Sequence, residues 1–248
     1  MRVVRRLPHP GRGFTQGLLA EGDLVIESTG GYGESALARY VSGEANVARE
    51  TMMRAELPSG LFGEGICRVG GCVWQLTWKE RVALRWDAAT LELRDQVRYN
   101  REGWSICAVS GPAGPTGPAG AVGEVTEVVT SDGTSELVRR DPETLEPRAV
   151  VRVRCRGARV RGLNDLAWDG ARIWANVAGT EYLAGIDLGT GEVTDVADAR
   201  AAGERHPDPQ EIMNGIAALT GPVSFCSPGS DGARSVTCGW QATSTAAT

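Results

Sequence analysis

Short runs in which apolar and polar residues alternate, each closed by a turn bearing Gly or Asp, fill most of the chain. That period of two predicts β-strands rather than helices. The runs also recur in a fixed order. A first hairpin opens each repeat: FTQGLLAEGDLVIEST from Phe14, FGEGICRVGGCVWQLTW from Phe62, GWSICAVSG from Gly103, LNDLAWDGARIWANV from Leu163, and the beginning of a fifth copy, MNGIAAL, from Met213. Within a copy the two runs are joined by a Gly-bearing turn, as at Glu21-Gly22-Asp23, Gly70-Gly71 and Asp169-Gly170, the signature of a tight hairpin. A second hairpin follows, its turn built on Asp or Gly with Thr: SALARYVSGEANV from Ser35, RVALRWDAATLEL from Arg81, SELVRRDPETLEP from Ser135 and EYLAGIDLGTGEV from Glu181.

Two hairpins give four strands, and four strands per repeat of roughly 40 to 50 residues predict a β-propeller. Glu64 lies 48 positions after Gln16, Trp104 lies 40 after Glu64, and Asn214 lies 50 after Asn164, so five repeats fit the chain. The expected fold is an all-β, five-bladed β-propeller over residues 1–218. The one overlong interval, 60 positions from Trp104 to Asn164, contains GPAGPTGPAGAVG at 111–123. Such a Gly/Pro-rich stretch cannot sustain a ladder of backbone hydrogen bonds and reads as a loop insertion in the third blade. Residues 219–248 are rich in Ser, Thr, Ala and Gly and lack alternation. They read as an atypical tail, disordered or altered, that leaves the last blade incomplete: an ending changed by a frameshift or otherwise, which resequencing the locus would check.

Composition narrows the function. Of 248 residues, 26 are Lys or Arg and 31 Asp or Glu, a net charge of −5 that offers no footprint for nucleic acid. No run approaches the ~20 apolar residues that cross a bilayer. A monomer engaging neither nucleic acid nor membrane is therefore expected. The opening MRVVRRLPHP has no apolar segment behind its arginines, so the expected location is cytoplasmic as written, or secreted or periplasmic if a start farther upstream carries a signal peptide. The six cysteines form no C-x-x-C pair and only His9 and His206 accompany them, which argues against a zinc centre. Cys67 and Cys72, flanking a Gly-Gly turn, read as buried thiols. Arg152, Arg154, Arg156, Arg159 and Arg161 read as one solvated strand face, and neither histidine is assigned a role.

In a propeller the innermost strand of each blade runs along the central channel, so the residues opening the repeats converge on one mouth. They are Phe14 and Gln16, Phe62 and Glu64, Trp104, and Asn164, with Trp78 reaching in from the end of the second blade's first hairpin. One carboxylate, two amides and aromatic walls suit a pocket that holds a small polar group and excludes water. Trp86, Trp168 and Trp174 read as packing.

From Pro8 to Ala217 the motifs FTQGL, ESTGGYG, FGEG, QLTW, REGW, SDGT, LND and IWANV occur in the order and spacing of the plant-type and bacterial glutaminyl cyclases, and the chain resembles that family. The resemblance implies a five-bladed propeller that converts the N-terminal glutamine of peptides or proteins to pyroglutamate with release of ammonia, using no cofactor and no metal. It also implies that Glu64 is the acid/base catalyst, that Gln16 and Asn164 hold the substrate's polar atoms, with Asn164 polarising the amide oxygen, and that Phe14, Phe62, Trp78 and Trp104 wall the pocket. Two departures stand out. The family's tryptophan after IWANV is replaced by Ala178, and Thr220-Gly221 is followed by Pro222 where the family has lysine. Those losses favour a second reading, a non-catalytic propeller that binds peptides. A third, a hydrolase of sugar lactones or phosphoesters using a divalent ion, needs more channel ligands than Glu64 and Asn164 supply.

Overall fold

The chain folds as the repeats predict, because each turn carries the residue its geometry demands. In the computed structural model, residues 5–7, 9, 13–43, 49–111, 123–200, 214–218, 223–225 and 235–237 are described. A short strand β1 (Arg5–Leu7) precedes four antiparallel sheets of four strands each. The first blade is β2 (Phe14–Glu21), β3 (Leu24–Gly30), β4 (Ala36–Val41) and β5 (Met53–Glu56). The second is β6 (Gly63–Val69), β7 (Cys72–Thr77), β8 (Val82–Asp87) and β9 (Leu93–Arg98). The third is β10 (Ser105–Ser110), β11 (Val125–Ser131), β12 (Glu136–Arg140) and β13 (Pro147–Arg152). After a small hairpin, β14 (Arg154–Cys155) and β15 (Ala158–Arg159), comes the fourth: β16 (Leu163–Trp168), β17 (Ile173–Val177), β18 (Tyr182–Ile186) and β19 (Val193–Asp198).

Gly22 and Gly70 stand at φ +61° and +57° in the two-residue loops that close the first hairpins, a backbone region glycine reaches without a Cβ clash. The second hairpins of blades two to four use one device. Asp87, Asp141 and Asp187 each accept hydrogen bonds from the backbone N–H and hydroxyl of the Thr three residues on, a local substitute for a backbone turn. Those donors hold the Asp141 carboxyl at about 2. Between blades, apolar faces stack into separate cores. Ile26, Leu37, Ile66, Val73 and Leu84 fill the space between blades one and two, Trp74, Leu76, Ile106 and Val128 that between two and three, and Val129, Leu137, Leu163, Leu166 and Ile173 that between three and four. Trp74 and Trp174 are fully buried, and Trp86 and Trp168 donate their indole N–H to Gln75 Oε1 and the Ser110 carbonyl, as packing residues should.

The fifth position is built differently. It holds two separate antiparallel pairs, β20 (Ile216–Ala218) with β21 (Val223–Phe225), and β22 (Ser235–Thr237) with β1. Strand β20 lies against β2 and β16, and β21 beside β22. Two strands of residues 219–248 thus take part, and the rest of that stretch is outside the described residues.

One expectation is corrected. Arg152 to Arg161 do not form a single strand face: β13 ends at Arg152, Val153 is buried, and Arg154–Cys155 folds back on Ala158–Arg159 through Arg156 and Gly157 at φ +50° and +82°. A two-residue turn preserves the period of two across it, so the alternation alone reads as one strand. This hairpin also accounts for part of the long interval before Asn164, the remainder being the insertion between β10 and β11, of which 112–122 lie outside the described residues. Cys67 and Cys107 are buried free thiols, while Cys72 and Cys155 are free and half-buried. Cys67 pairs with Trp74 across the hairpin, not with Cys72. His206, Cys226 and Cys238 fall outside the described residues.

Candidate active site

In three blades the innermost strand carries one extra residue at the same place. The β2–β3 register passes from Thr15↔Thr29 to Gly17↔Ser28, stepping over Gln16. The β6–β7 register passes from Gly63↔Thr77 to Ile66↔Gln75, stepping over Glu64 and Gly65. The β16–β17 register passes from Leu163↔Val177 to Leu166↔Ala175, stepping over Asn164 and Asp165. A bulge breaks the ladder and re-aims the side chain at the break, so Gln16, Glu64 and Asn164, all expected at the mouth, are lifted out of the pleat at equivalent positions.

Glycines let these strands close up. A Cβ on Gly17 would lie 2.7 Å from the Ile66 amide nitrogen, and one on Gly65 would lie 2.5 Å from Ser105 Cα. A backbone bond ties the second blade to the third there, Gly65 N–H donating to the Trp104 carbonyl at 3.2 Å, and within the third blade Trp104 N–H donates to the Ser131 carbonyl at 3.1 Å.

Glu64 is 6% exposed, and no hydrogen bond joins its carboxyl to another described residue. Burial pushes it well above the usual carboxylate range, and the charges of Asp165, Glu80 and Glu102 add to the shift. A carboxyl this dry, with no hydrogen-bond partner among the described residues, holds a proton more readily than an ordinary carboxylate, as an acid–base catalyst must.

The aromatic residues divide. Phe62 and Trp78 meet with ring centroids 5.5 Å apart, and Tyr32, from the ESTGGYG segment, adds an edge contact to Phe62 at 5.4 Å. Tyr32 also donates to Glu80 Oε1 at 2.8 Å, and Lys79 Nζ stands 3.8 Å over the Trp78 ring. The Phe62 ring covers Gly30, where a Cβ would come within 2.3 Å of it and 2.9 Å of Gln16 Cγ, so Phe62 and Gln16 are neighbours. Trp104 packs instead over Gly133, at φ +74°, where a Cβ would lie 2.6 Å from the indole. Its indole N–H is buried without a partner among the described residues. Phe14 opens β2 opposite Gly30 and makes no ring contact with the other aromatics of the site.

Two site residues escaped the sequence reading. Asn214, just before β20, is buried and links the first and fourth blades: it accepts from Asn164 Nδ2 and donates to Gln16 Oε1 at 2.7 Å. Asp165 is 2% exposed and gathers donors from three blades, the Ser105 hydroxyl, its own strand's Leu166 N–H at 2.9 Å and the Ile216 N–H at 2.6 Å. Burial nevertheless pushes its carboxyl up to about 7 against those donors. The signals existed: Asp165 is the third letter of LND, and Asn214 sits at the repeat position of Asn164 in MNG. His9, assigned no role, bonds buried Glu27 at 2.7 Å. Among the described residues no three His, Cys, Asp or Glu side chains converge to hold a metal ion.

Comparison with known proteins agrees with this architecture. The chain matches the glutamine cyclotransferase family over residues 1–226. Glutaminyl-peptide cyclotransferase of Arabidopsis thaliana is 30% identical over 188 residues, which cover 75% of this chain and 53% of that protein; the chain spans about half the length of that curated relative. The crystal structure of Myxococcus xanthus glutaminyl cyclase superposes with a TM-score of 0.71 at 27% identity, covering 96% of this chain and 90% of that one. The all-β propeller and the family match over most of its length together establish that this chain belongs to the glutamine cyclotransferase family.

Proposed function

We propose that the chain is a glutaminyl-peptide cyclotransferase, closing the N-terminal glutamine of peptides or proteins to pyroglutamate and releasing ammonia. The observation that carries this reading is the Glu64 carboxyl: buried, without a hydrogen-bond partner among the described residues, and raised well above the usual carboxylate range at a bulge on the innermost strand of its blade. Cyclisation joins the free α-amine nitrogen to the side-chain carboxamide carbon and breaks the carbon–nitrogen bond of that amide. As a carboxylate, Glu64 takes a proton from the attacking amine. As the acid so formed, it delivers that proton to the departing nitrogen, which leaves as ammonia with the catalyst restored. One group serves both halves best when neither form is strongly preferred, and burial moves Glu64 in that direction by penalising its charged form.

The rest of the site has matching tasks. Gln16 and Asn164 hold polar atoms of the glutamine side chain, and Phe62 and Trp78 form one wall with Trp104 as another. Phe14 flanks the first blade's side. The family match and the named relatives support the same reading.

The test is ammonia release from a short peptide beginning with glutamine. Glu64→Gln keeps the size of the side chain but cannot shuttle a proton, so kcat should fall by about 10²–10⁴, the contribution usual for a general acid–base group. Unchanged turnover in that variant would remove Glu64 from the mechanism, and a folded wild-type protein that releases no ammonia would remove the function.

A further inference from the structure

The amide chain between the first and fourth blades has a direction. Asn214 Oδ1 receives Asn164 Nδ2 and, at 3.4 Å, Asn176 Nδ2. Two amino groups converge on one atom, and only a carbonyl oxygen accepts both. The Asn214 amino group is thereby turned toward Gln16, where it donates to Oε1 at 2.7 Å. That bond commits Gln16 Oε1 as an acceptor within the protein. Its Nε2 is left over: among the described residues it donates to nothing, although Gln16 is 6% exposed and sits on the β2 bulge beside Phe62.

We propose that Asn214 is a positioning residue for the cyclisation: by fixing which end of the Gln16 amide faces the pocket, it presents Gln16 Nε2 as a donor to the side-chain carbonyl oxygen of the substrate glutamine. The proposal rests on the cyclase reading above and adds to it a residue and a direction. An unrestrained glutamine amide can turn either end outward. Turned the wrong way it would set oxygen against the substrate's carbonyl oxygen, which gains negative charge as the amine attacks. Asn214 forbids that rotamer, because the flipped amide would face donor to donor in a buried place. Asn164, whose Nδ2 already donates to Asn214, contributes by completing the restraint.

A double-mutant cycle decides the matter, using ammonia release from a glutaminyl-alanine peptide together with each protein's Tm. The variants are Gln16→Met, Asn214→Leu and the pair. If Asn214 acts through Gln16, each single change lowers kcat by about 10²–10³ with little change in KM, the loss usual for one oxyanion donor. The pair then loses no more than Gln16→Met alone. A merely structural Asn214 gives losses that multiply, or a kcat unchanged in Asn214→Leu, and either result overturns the proposal. Should Asn214→Leu not fold, Asn214→Asp replaces it with the same expected pattern, since its second oxygen draws Gln16 Nε2 away from the pocket. If the folded wild-type protein releases no ammonia, the cyclase reading falls, and the cycle is read on calorimetric Kd for the same peptide. A double variant binding no more weakly than Gln16→Met then upholds the positioning role, and additive losses or no wild-type binding overturn it.

Discussion

Gly65→Ala should damage the protein more than any single methyl group normally does, and the structure says by how much. The new Cβ would stand 2.5 Å from Ser105 Cα, 2.7 Å from its hydroxyl and 2.9 Å from its Cβ. Two of these atoms belong to the backbone or its first branch, so no rotamer relieves the clash. Strands β6 and β10 must part by about 1 Å to restore van der Waals contact. Parting them stretches the Gly65–Trp104 backbone bond, now 3.2 Å, and strains the Ser105 hydroxyl bond to Asp165. Overpacking of this kind costs about 1–3 kcal/mol, and a weakened bond to a charged acceptor adds roughly 1.5–3 kcal/mol at most. At about 2–4 °C per kcal/mol for a protein of this size, Tm should fall by roughly 2–24 °C. Because Glu64 precedes the altered residue on the same bulge, kcat should fall as well. Gly71→Ala is the control, since Gly71 has nothing within 4 Å of its Cβ position. Thermal denaturation and ammonia release on the three proteins check the reasoning; a Gly65→Ala protein within 1 °C of wild type and fully active would refute the close-strand account.

Other expectations follow from the same site. Asp165, raised from 3.8 to about 7, and Glu64, also raised, bind more protons folded than unfolded, so stability is greatest on the acid side and declines as pH rises from about 4 to about 7, by on the order of 4 kcal/mol for Asp165; a Tm that rises steadily from pH 5 to 7.5 would contradict this. The acid limb of the kcat profile should lie above the ordinary carboxylate range because burial raises Glu64, and stopped assays across pH 4 to 8 would show it. Trp104→Ala should raise KM more than it lowers kcat, as removal of a wall does, and an unchanged KM would leave Trp104 a packing residue. Gly133→Ala, strained at φ +74° and 2.6 Å from the indole, should mimic that defect in steady-state kinetics.

The fold was legible because its information is local. Gly22, Gly70 and the Asp87, Asp141 and Asp187 turns announce themselves within four residues, and the period of two does the rest. The bulges were not legible, since one extra residue at Gln16, Glu64 or Asn164 leaves the flanking alternation intact. The Arg154–Arg159 hairpin read as a strand for a different reason, because its two-residue turn keeps the period of two in phase. Repeat position led to the expectation of Phe14, Gln16, Phe62, Glu64, Trp104 and Asn164 at the mouth, with Trp78 reaching in from the end of a hairpin. It could not show that Asp165 would bond to Ser105 and Ile216, or that Asn214 would bridge Gln16 and Asn164, because those partners lie 50 to 198 positions away. Pairings at such separations depend on how the ring is closed, which no window along the chain contains.

The bond between Gln16 and Asn214 joins residues 198 positions apart, and this separation orders events during synthesis. Blades one to four can each pack on the previous one as they leave the ribosome, because their contacts lie mostly within a blade or with the next one. The Gln16 amide, however, waits for Asn214, and Asp165 waits for Ile216, until most of the chain has been made. The nascent protein therefore carries a complete Glu64 strand and no oriented site. Catalytic competence should be the last property acquired, arriving in one step with ring closure rather than growing blade by blade.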